Sequence, residues 1–177
     1  LSIDKGDALA LIGESGSGKS TIAKSILGFI DNDVEVESGE ILFKGKDILK
    51  LPENEKRALR GKKIAMMPQE SLSVLNPLIK CGKQIEEVLH SGGNNNKRIT
   101  FEQVLEILHK CGFHDAERIY NSYPHELSGG SRQKILFAIT AITKPEIIIT
   151  DEPTSSMDIV SEREIMGLLN KNRKTEN

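Results

Sequence analysis

The chain has 177 residues, with 24 basic and 26 acidic side chains and a net charge of −2. This length suits one well-buried domain with an inserted subdomain, and the balanced charge argues against the broad basic surface typical of nucleic-acid-binding proteins. The apolar runs are far shorter than the roughly 20 residues of a transmembrane helix, and the first residues lack the organisation of a secretory signal. We therefore expect the chain to be soluble by itself.

The first motif is a glycine-rich loop at residues 13–20, which fits the pattern G-x-x-x-x-G-K-[ST] without a mismatch. Its glycines allow backbone N–H groups to approach a chain of phosphates closely. The lysine would reach the terminal phosphates, and the last serine would offer its hydroxyl to Mg²⁺. The sequence therefore predicts a site for a nucleoside triphosphate, formed by Gly13, Glu14, Ser15, Gly16, Ser17, Gly18, Lys19 and Ser20.

The residues around this loop have the pattern of a strand and a helix. The apolar run at 8–12 predicts a strand that leads into the loop, and residues 21–27 predict a helix that Gly28 ends. Further along, residues 38–43 and 63–67 predict strands, and Pro52 predicts the start of a helix that continues to Leu59. These elements predict alternating strands and helices.

The chain becomes helical from about residue 78 to residue 143. Thr100 and Gln103 have the spacing of a capping box, and a polar run at 91–96 predicts a connector between helices. The last helix, over 128–143, carries an apolar stripe that packing in the core explains, formed by Ile135, Leu136, Ile139 and Ile142. The two cysteines lack the spacing of metal ligands and are predicted to be buried or idle thiols in a reducing compartment. The four histidines also lack ligand spacing, and we assign them no catalytic role.

Two acidic residues, Asp151 and Glu152, follow a run of branched residues at 146–150. This run predicts a buried parallel strand whose carboxyl end faces a ligand crevice. Asp151 would hold the metal, and Glu152 would polarise the water that attacks the γ-phosphate. A helix over 159–170 and a polar tail that frays are expected after these residues.

Three further segments resemble the motifs of one family. Residues 127–133, L-S-G-G-S-R-Q, look like the signature motif of ATP-binding cassette (ABC) transporter ATPases. Gln69, in M-P-Q-E, is similar to the Q-loop glutamine, and residues 154–158 are similar to the D-loop that ends at Asp158. With the phosphate loop and the acidic pair, five motifs follow the order of that family. The resemblance therefore covers nearly the whole chain.

The resemblance implies an α/β fold of the P-loop NTPase type with a mainly parallel sheet and an inserted helical subdomain. The core would comprise residues 1–69 and 144–177, and the helical subdomain residues 70–143, ending in the signature helix. The family implies ATP and Mg²⁺ as cofactors. Lys19, Gln69 and Glu152 would act in catalysis, and Ser20, Gln69 and Asp151 would hold the metal.

The family also implies that the active unit is a dimer, homomeric or heteromeric, that sandwiches two MgATP. The residues that would contact the nucleotide, beyond the phosphate loop itself, are Thr21, Ser128, Gly129, Gly130 and Asp158. The signature residues would contact the γ-phosphate held by the other subunit. Transmembrane permease subunits would be partners and a solute-binding protein an indirect one, with the ATPase at the cytoplasmic face of the membrane. No nucleic acid is expected.

Residues 71–77 and 82–85, together with Tyr123, Pro124 and His125, look most like the peptide and nickel uptake subgroup. This similarity implies import of a small solute, peptide or nickel-like. One alternative is a soluble ABC-type ATPase that acts on nucleic acid or ribosomes. Another is a truncated domain that binds nucleotide without turnover.

Two features depart from the family pattern. No aromatic residue that could stack on adenine precedes Gly13, and no switch histidine follows Asp151. We therefore expect the chain to be part of a longer ATPase, incomplete at both ends.

Overall fold

The computed structural model describes residues 1–30, 35–68, 74–91, 101–153 and 159–175, and within these ranges short strands alternate with helices. The helices are α1 (Lys19–Ile26), α2 (Glu53–Leu59), α3 (Cys81–Ser91), α4 (Phe101–Lys110), α5 (Ala116–Asn121), α6 (Gly129–Ala141) and α7 (Ile159–Thr175). The strands are β1 (Leu42–Phe43), β2 (Lys46–Asp47), β3 (Ile64–Met67) and β4 (Ile147–Thr150). Short 3₁₀ turns cover Ile48–Lys50 and Pro124–Glu126.

The strands form two small sheets. β1 and β2 are antiparallel and are joined by Lys44 and Gly45, whose positive φ angles of 51° and 77° suit a tight hairpin turn. β3 and β4 are parallel, with Ile64 opposite Ile147 and Met67 opposite Thr150. The predicted strand after residue 146 thus forms parallel to its neighbour, but its residues are half-buried rather than buried.

The predicted strand at residues 8–12 does not form. Leu9, Leu11 and Ile12 are 48%, 39% and 95% exposed, and the segment has no regular secondary structure. Within the described ranges, no strand lies beside it to pair with its backbone. A strand without a neighbour can neither satisfy its backbone hydrogen bonds nor bury its side chains, and this explains the irregular conformation.

Other predicted boundaries shift by a few residues. The strand expected over 38–43 is limited to β1, while α2 forms where Pro52 predicted it. α7 continues to Thr175, so its predicted end at residue 170 is wrong. Residues 171–174 include no glycine or proline, the residues that most disfavour a helix. The capping residue Thr100 and most of the polar run at 91–96 lie outside the described residues.

Two apolar clusters lie on opposite faces of the β3–β4 sheet. The larger cluster joins β3 to the helical region through fully buried side chains, among them Ile85, Val104, Leu108 and Ile135. The smaller cluster contains Leu27, Ile48 and Ile64. Because successive strand residues face opposite sides, Met66 packs on the smaller cluster and Met67 lies in the larger one.

α6 is the helix that connects the helical region to the sheet, since it packs against β3, α3 and α7. The predicted boundary between residues 69 and 70 lies outside the described residues, so the division into core and helical subdomain stays a prediction. In the part of the chain that the structure describes, no helix is both long and apolar enough to cross a bilayer.

Candidate functional site

The loop at 13–20 has the backbone shape that its glycines permit. Gly16 and Gly18 have φ angles of 81° and 91°, in the left-handed region where other residues are strained. A larger residue at Gly13 is excluded for a different reason, because a Cβ there would lie 2.9 Å from the hydroxyl oxygen of Ser17. Each of these glycines therefore has a steric reason, and the loop leaves its backbone open to an approaching ligand.

Lys19 closes over this loop. Its ammonium nitrogen donates hydrogen bonds to the carbonyl oxygens of Gly13 at 2.8 Å and Glu14 at 2.7 Å, and lies 3.5 Å from the hydroxyl of Ser17. Carbonyl oxygens satisfy the donors of the ammonium without neutralising its charge. A phosphate group at the mouth of the loop would therefore meet a full positive charge.

Helix α1 begins at Lys19, so it includes the last two residues of the loop motif, and its first turn has no side-chain cap because its N-cap is Gly18. α5 and α6 differ in this respect, since Asp115 and Ser128 cap them with side-chain oxygens. The uncapped N–H groups and the positive end of the helix dipole make this end of α1 suited to an anion.

The hydroxyl-bearing residues of the first turn, Ser20 and Thr21, are exposed. Hydroxyl and carboxylate oxygens suit Mg²⁺, so Ser20 fits the metal role predicted for it. No cluster of three or more histidine, cysteine, aspartate or glutamate side chains is found among the described residues. In nucleotide sites Mg²⁺ usually takes one or two protein ligands together with phosphate oxygens and water.

A cleft of about 490 Å³ opens beside the loop. The loop and α1 supply its polar residues, and Ile22 and Ile41 its apolar ones; it is lined by Ser17, Gly18, Thr21, Ile22, Ser25 and Ile41. This volume is in the range of small-molecule sites. Sequence reasoning missed Ser25 and Ile41, although Thr21 and Ser25 have the i, i+4 spacing that places them on one face of α1.

The acidic pair lies at the carboxyl end of β4. The backbone N–H of Asp151 donates to the carbonyl of Met67 at 3.1 Å, which continues the parallel pairing one residue beyond the strand. Glu152 is exposed and has a φ of 45°, a conformation that costs energy for a residue with a side chain. The two carboxylates thus follow the sheet as predicted, next to the end of β3 that leads to Gln69.

The predicted signature residues form the start of α6. The side-chain oxygen of Ser128 accepts a hydrogen bond from the backbone N–H of Ser131 at 3.2 Å, and its hydroxyl is 3.0 Å from that of Ser131. Gly129 is exposed and Gly130 is buried, while Arg132 donates to the carbonyl of Leu127. These hydrogen bonds hold the first turn of α6 in place.

The structure thus places the predicted site residues in three sets. The phosphate-loop residues lie on one loop and helix, the acidic pair at the end of the sheet, and the signature residues at the start of α6. Gln69 and Asp158, two further predicted site residues, lie outside the described residues, so the structure adds nothing on their placement.

Both cysteines are buried and free, as the sequence predicted. Both thiols lie in the larger apolar cluster. Burial raises the pKa of Cys81 to about 11 and that of Cys111 to about 12. Both remain protonated and unreactive at neutral pH.

Comparison with known proteins links this geometry to one family. Residues 1–155 match the sequence model of a family described as ABC transporter. The chain is 41% identical over 169 residues to the dipeptide transport ATP-binding protein DppD of Lactococcus lactis subsp. cremoris. It is 40% identical over 168 residues to the oligopeptide transport ATP-binding protein OppD of Bacillus subtilis. Each comparison covers 94% of this chain but only 48% and 47% of the relatives, so the chain spans about half their length.

Solved structures agree with these relatives. The chain resembles a dimeric post-hydrolysis state of the ATP-binding cassette MJ0796 bound to ADP and Pi, with a TM-score of 0.80 and 28% identity over 99% of this chain and 73% of that one. A second dimeric MJ0796 structure, of a bacterial ABC transporter cassette, gives a TM-score of 0.79 at 27% identity, over 99% of this chain and 73% of that chain. These similarities confirm the predicted α/β fold of the P-loop NTPase type.

Proposed function

Since the chain belongs to the ABC transporter family, we propose that it binds MgATP and couples ATP hydrolysis to the import of peptides. The observation that carries this proposal is the phosphate loop, with its left-handed glycines, the ammonium of Lys19 over its opening and the uncapped end of α1 behind it. Together these features supply donors, positive charge and helix dipole at one anion site.

Each predicted site residue has a role in this proposal. Lys19 and the loop amides, with Thr21, hold the phosphates, and Ser20 and Asp151 hold Mg²⁺ together with Gln69. When bound, Mg²⁺ neutralises phosphate charge and orients the terminal phosphate. Glu152 accepts a proton from the attacking water, a role that fits its exposed position at the end of β4.

The active unit in this proposal is a dimer. Ser128, Gly129 and Gly130 lie at the start of α6, whereas the phosphate loop leads into α1, and the similar cassette MJ0796 is dimeric. A second ATPase subunit, identical or homologous, would place its own signature residues and the D-loop Asp158 against the ATP held here. Each nucleotide would then lie between two subunits.

Peptides are the favoured solute because the relatives named above are dipeptide and oligopeptide transport proteins. We therefore propose transmembrane permease subunits as direct partners, a solute-binding protein as an indirect one, and a peripheral position at the cytoplasmic face of the membrane. The nickel-like solute suggested by residues 71–77 receives no support from these relatives.

The test compares three properties of the wild-type chain and of Glu152→Gln, namely MgATP binding, phosphate release and mass in solution. We expect the variant to bind ATP like the wild type, to release phosphate at least ~100-fold more slowly, and to accumulate as an ATP-bound dimer. Glu162→Gln, at an exposed position of α7, is the matched control and should match the wild type in all three measurements.

The outcomes separate the alternatives. Undiminished phosphate release by Glu152→Gln would remove Glu152 from the role of base. Nucleotide binding by the wild type without any phosphate release would instead support the alternative in which this chain binds nucleotide without turnover. ATP-stimulated binding to ribosomes or nucleic acid, with none to permease subunits, would favour the soluble ATPase.

A further inference from the structure

Arg60 lies at the end of α2, and its side chain makes four contacts. Its Nε donates to the carbonyl of Leu27 at 2.7 Å and one Nη to the carbonyl of Gly28 at 3.0 Å. The other Nη is 2.5 Å from a carboxylate oxygen of Glu53, and the guanidinium stacks on Phe29 at 4.0 Å from the ring centre. The side chain of Arg60 is only 17% exposed, whereas that of Glu53 is 63% exposed, so the bonds to the two carbonyls are better shielded from water than the ion pair.

Of the two carbonyls that Arg60 contacts, one belongs to the C-cap residue of α1 and the other to the turn that follows it. Leu27 is the C-cap of α1, and Gly28, with a φ of 69°, turns the chain away from the helix. A cation at this end of a helix satisfies orphan carbonyls and complements the helix dipole. The opposite end of the same helix carries Gly18, Lys19 and Ser20 of the phosphate loop.

Apolar packing holds α1 only weakly. Ala23 is the one buried residue within the helix, Ile26 and Leu27 at its end pack in the smaller apolar cluster, and Ile22 is 46% exposed. Arg60 itself is well anchored, because its backbone N–H donates to Lys56 and its position bridges to Ile64 at the start of β3. A fixed guanidinium thus ties a loosely packed helix to the sheet.

We propose that Arg60 is a positioning residue for nucleotide binding, which holds α1 so that the phosphate loop keeps its open shape. This inference rests on the proposed function, because it concerns the same phosphate site. The effect is mechanical rather than a direct attraction to phosphate. The eight-residue helix is about 12 Å long, which exceeds the screening length of about 8–10 Å at physiological salt.

The experiment compares Arg60→Met and Arg60→Lys with the matched control Arg57→Met, which removes the same charge from an exposed position of the same helix. MgATP affinity is measured by calorimetry, and amide hydrogen exchange is measured on the nucleotide-free chain. We expect Arg60→Met to bind ATP about tenfold more weakly and its amides over 13–26 to exchange at least tenfold faster. The amides of α6 should not change.

Arg60→Lys should recover part of the affinity, since an ammonium reaches one carbonyl but lacks the fork that reaches two. Arg57→Met and Glu53→Gln should stay within twofold of the wild type, because both keep the contacts of Arg60 with Leu27 and Gly28. Wild-type affinity and exchange in Arg60→Met would overturn the proposal, as would faster exchange spread evenly over the whole chain. A wild type that binds no nucleotide would refute the proposed function, and the exchange measurement would still decide the role of Arg60.

Discussion

At the scale of single residues, the charge of Lys19 decides what the phosphate loop can bind. Its ammonium donates hydrogen bonds to two backbone carbonyls. Replacing these acceptors by phosphate oxygens costs little free energy, because the carbonyls do not neutralise the positive charge. The same bonds tie the start of the loop to Lys19. Lys19 therefore contributes both to the shape of the empty loop and to the charge of the loaded one.

We expect Lys19→Met to weaken MgATP binding by at least tenfold, because the variant loses a charge-assisted contact with the phosphates. Lys24→Met is the control, since Lys24 is an exposed lysine in the last turn of the same helix. Calorimetric titration of both variants gives the comparison. Equal affinities in the two variants would mean that Lys19 does not contact the ligand.

Gly82 is a position where close packing, rather than the backbone conformation, requires glycine. A Cβ at this position in α3 would lie 2.0 Å from a ring carbon of Tyr120. Phe101 meets the same ring edge-on at 4.6 Å between centroids, so the ring has little room to move. Only glycine allows α3 and α5 to approach this closely.

Gly82→Ala should therefore destabilise the chain by about 1–3 kcal/mol, despite the better helix propensity of alanine. The control is Gly167→Ala in α7, where a Cβ would meet nothing within 4 Å. That change should stabilise the chain by about 0.5–1 kcal/mol through helix propensity alone. Urea denaturation measures both, and a stabilised Gly82→Ala variant would show that the ring yields without cost.

At the scale of elements, a polar network joins α3 to α5. Glu86 accepts hydrogen bonds from the hydroxyl of Tyr120 at 2.5 Å and from the ammonium of Lys83 at 2.8 Å. Although burial opposes its ionisation, the bonds from Lys83 and Tyr120 hold the pKa of Glu86 below its usual value. The bond to Glu86 in turn raises the pKa of Lys83.

The signs of these shifts define the pH range in which the network stabilises the fold. A lowered carboxylate pKa gives stability that is present above the unfolded value of 4.5 and is lost as pH falls through the folded pKa. A raised lysine pKa gives stability that is complete below 10.5 and is lost as pH rises further. The network should thus contribute fully between about pH 5 and 10.

Glu86→Gln should lower the free energy of unfolding by about 1–2 kcal/mol at pH 7, and its difference from the wild type should shrink toward pH 3. Glu106→Gln is the control, because Glu106 pairs with Lys110 in a fully solvated position on α4. That change should have no measurable effect on stability. Denaturation curves from pH 3 to 8 test both, and a constant difference across this range would contradict the linkage.

The elements also show what sequence could predict. α2, α6 and the parallel pairing of the strand after residue 146 follow from local signals, namely Pro52, the N-cap Ser128 and a run of branched residues. The prediction of a strand at 8–12 was wrong because an apolar pattern specifies a strand only when a neighbouring strand is present to pair with it. Local pattern cannot report whether that neighbour exists.

The same distinction holds for the site. The phosphate loop was predictable because all its parts are consecutive in sequence, so one spacing rule describes them. Arg60 was not, because its carbonyl partners lie 33 and 32 residues away and no spacing rule links them. Ile41 was missed for the same reason, since only the fold brings it to the cleft beside Ser17.

At the scale of the whole molecule, the β3–β4 sheet separates two cores of unequal size. The larger one holds α3 to α6, and the smaller one, around Leu27, Ile48 and Ile64, supports α1 and the hairpin. The phosphate loop belongs to the side with the smaller core. Regions with few buried apolar contacts open more readily than large cores, so the ligand site lies in the less stable half of the molecule.

This division predicts that one core can be weakened without the other. Ile48 and Ile135 are both almost fully buried, so Ile48→Ala and Ile135→Ala remove the same atoms from the two cores, at a cost of about 2–5 kcal/mol each. Hydrogen exchange should quicken in α1 and α2 for Ile48→Ala while α4 and α6 keep their protection, and Ile135→Ala should expose α4 and α6. Each variant is the control for the other. Equal acceleration in all helices by both variants would mean that the chain unfolds as a single unit, and the phosphate loop would then share the stability of the helical region.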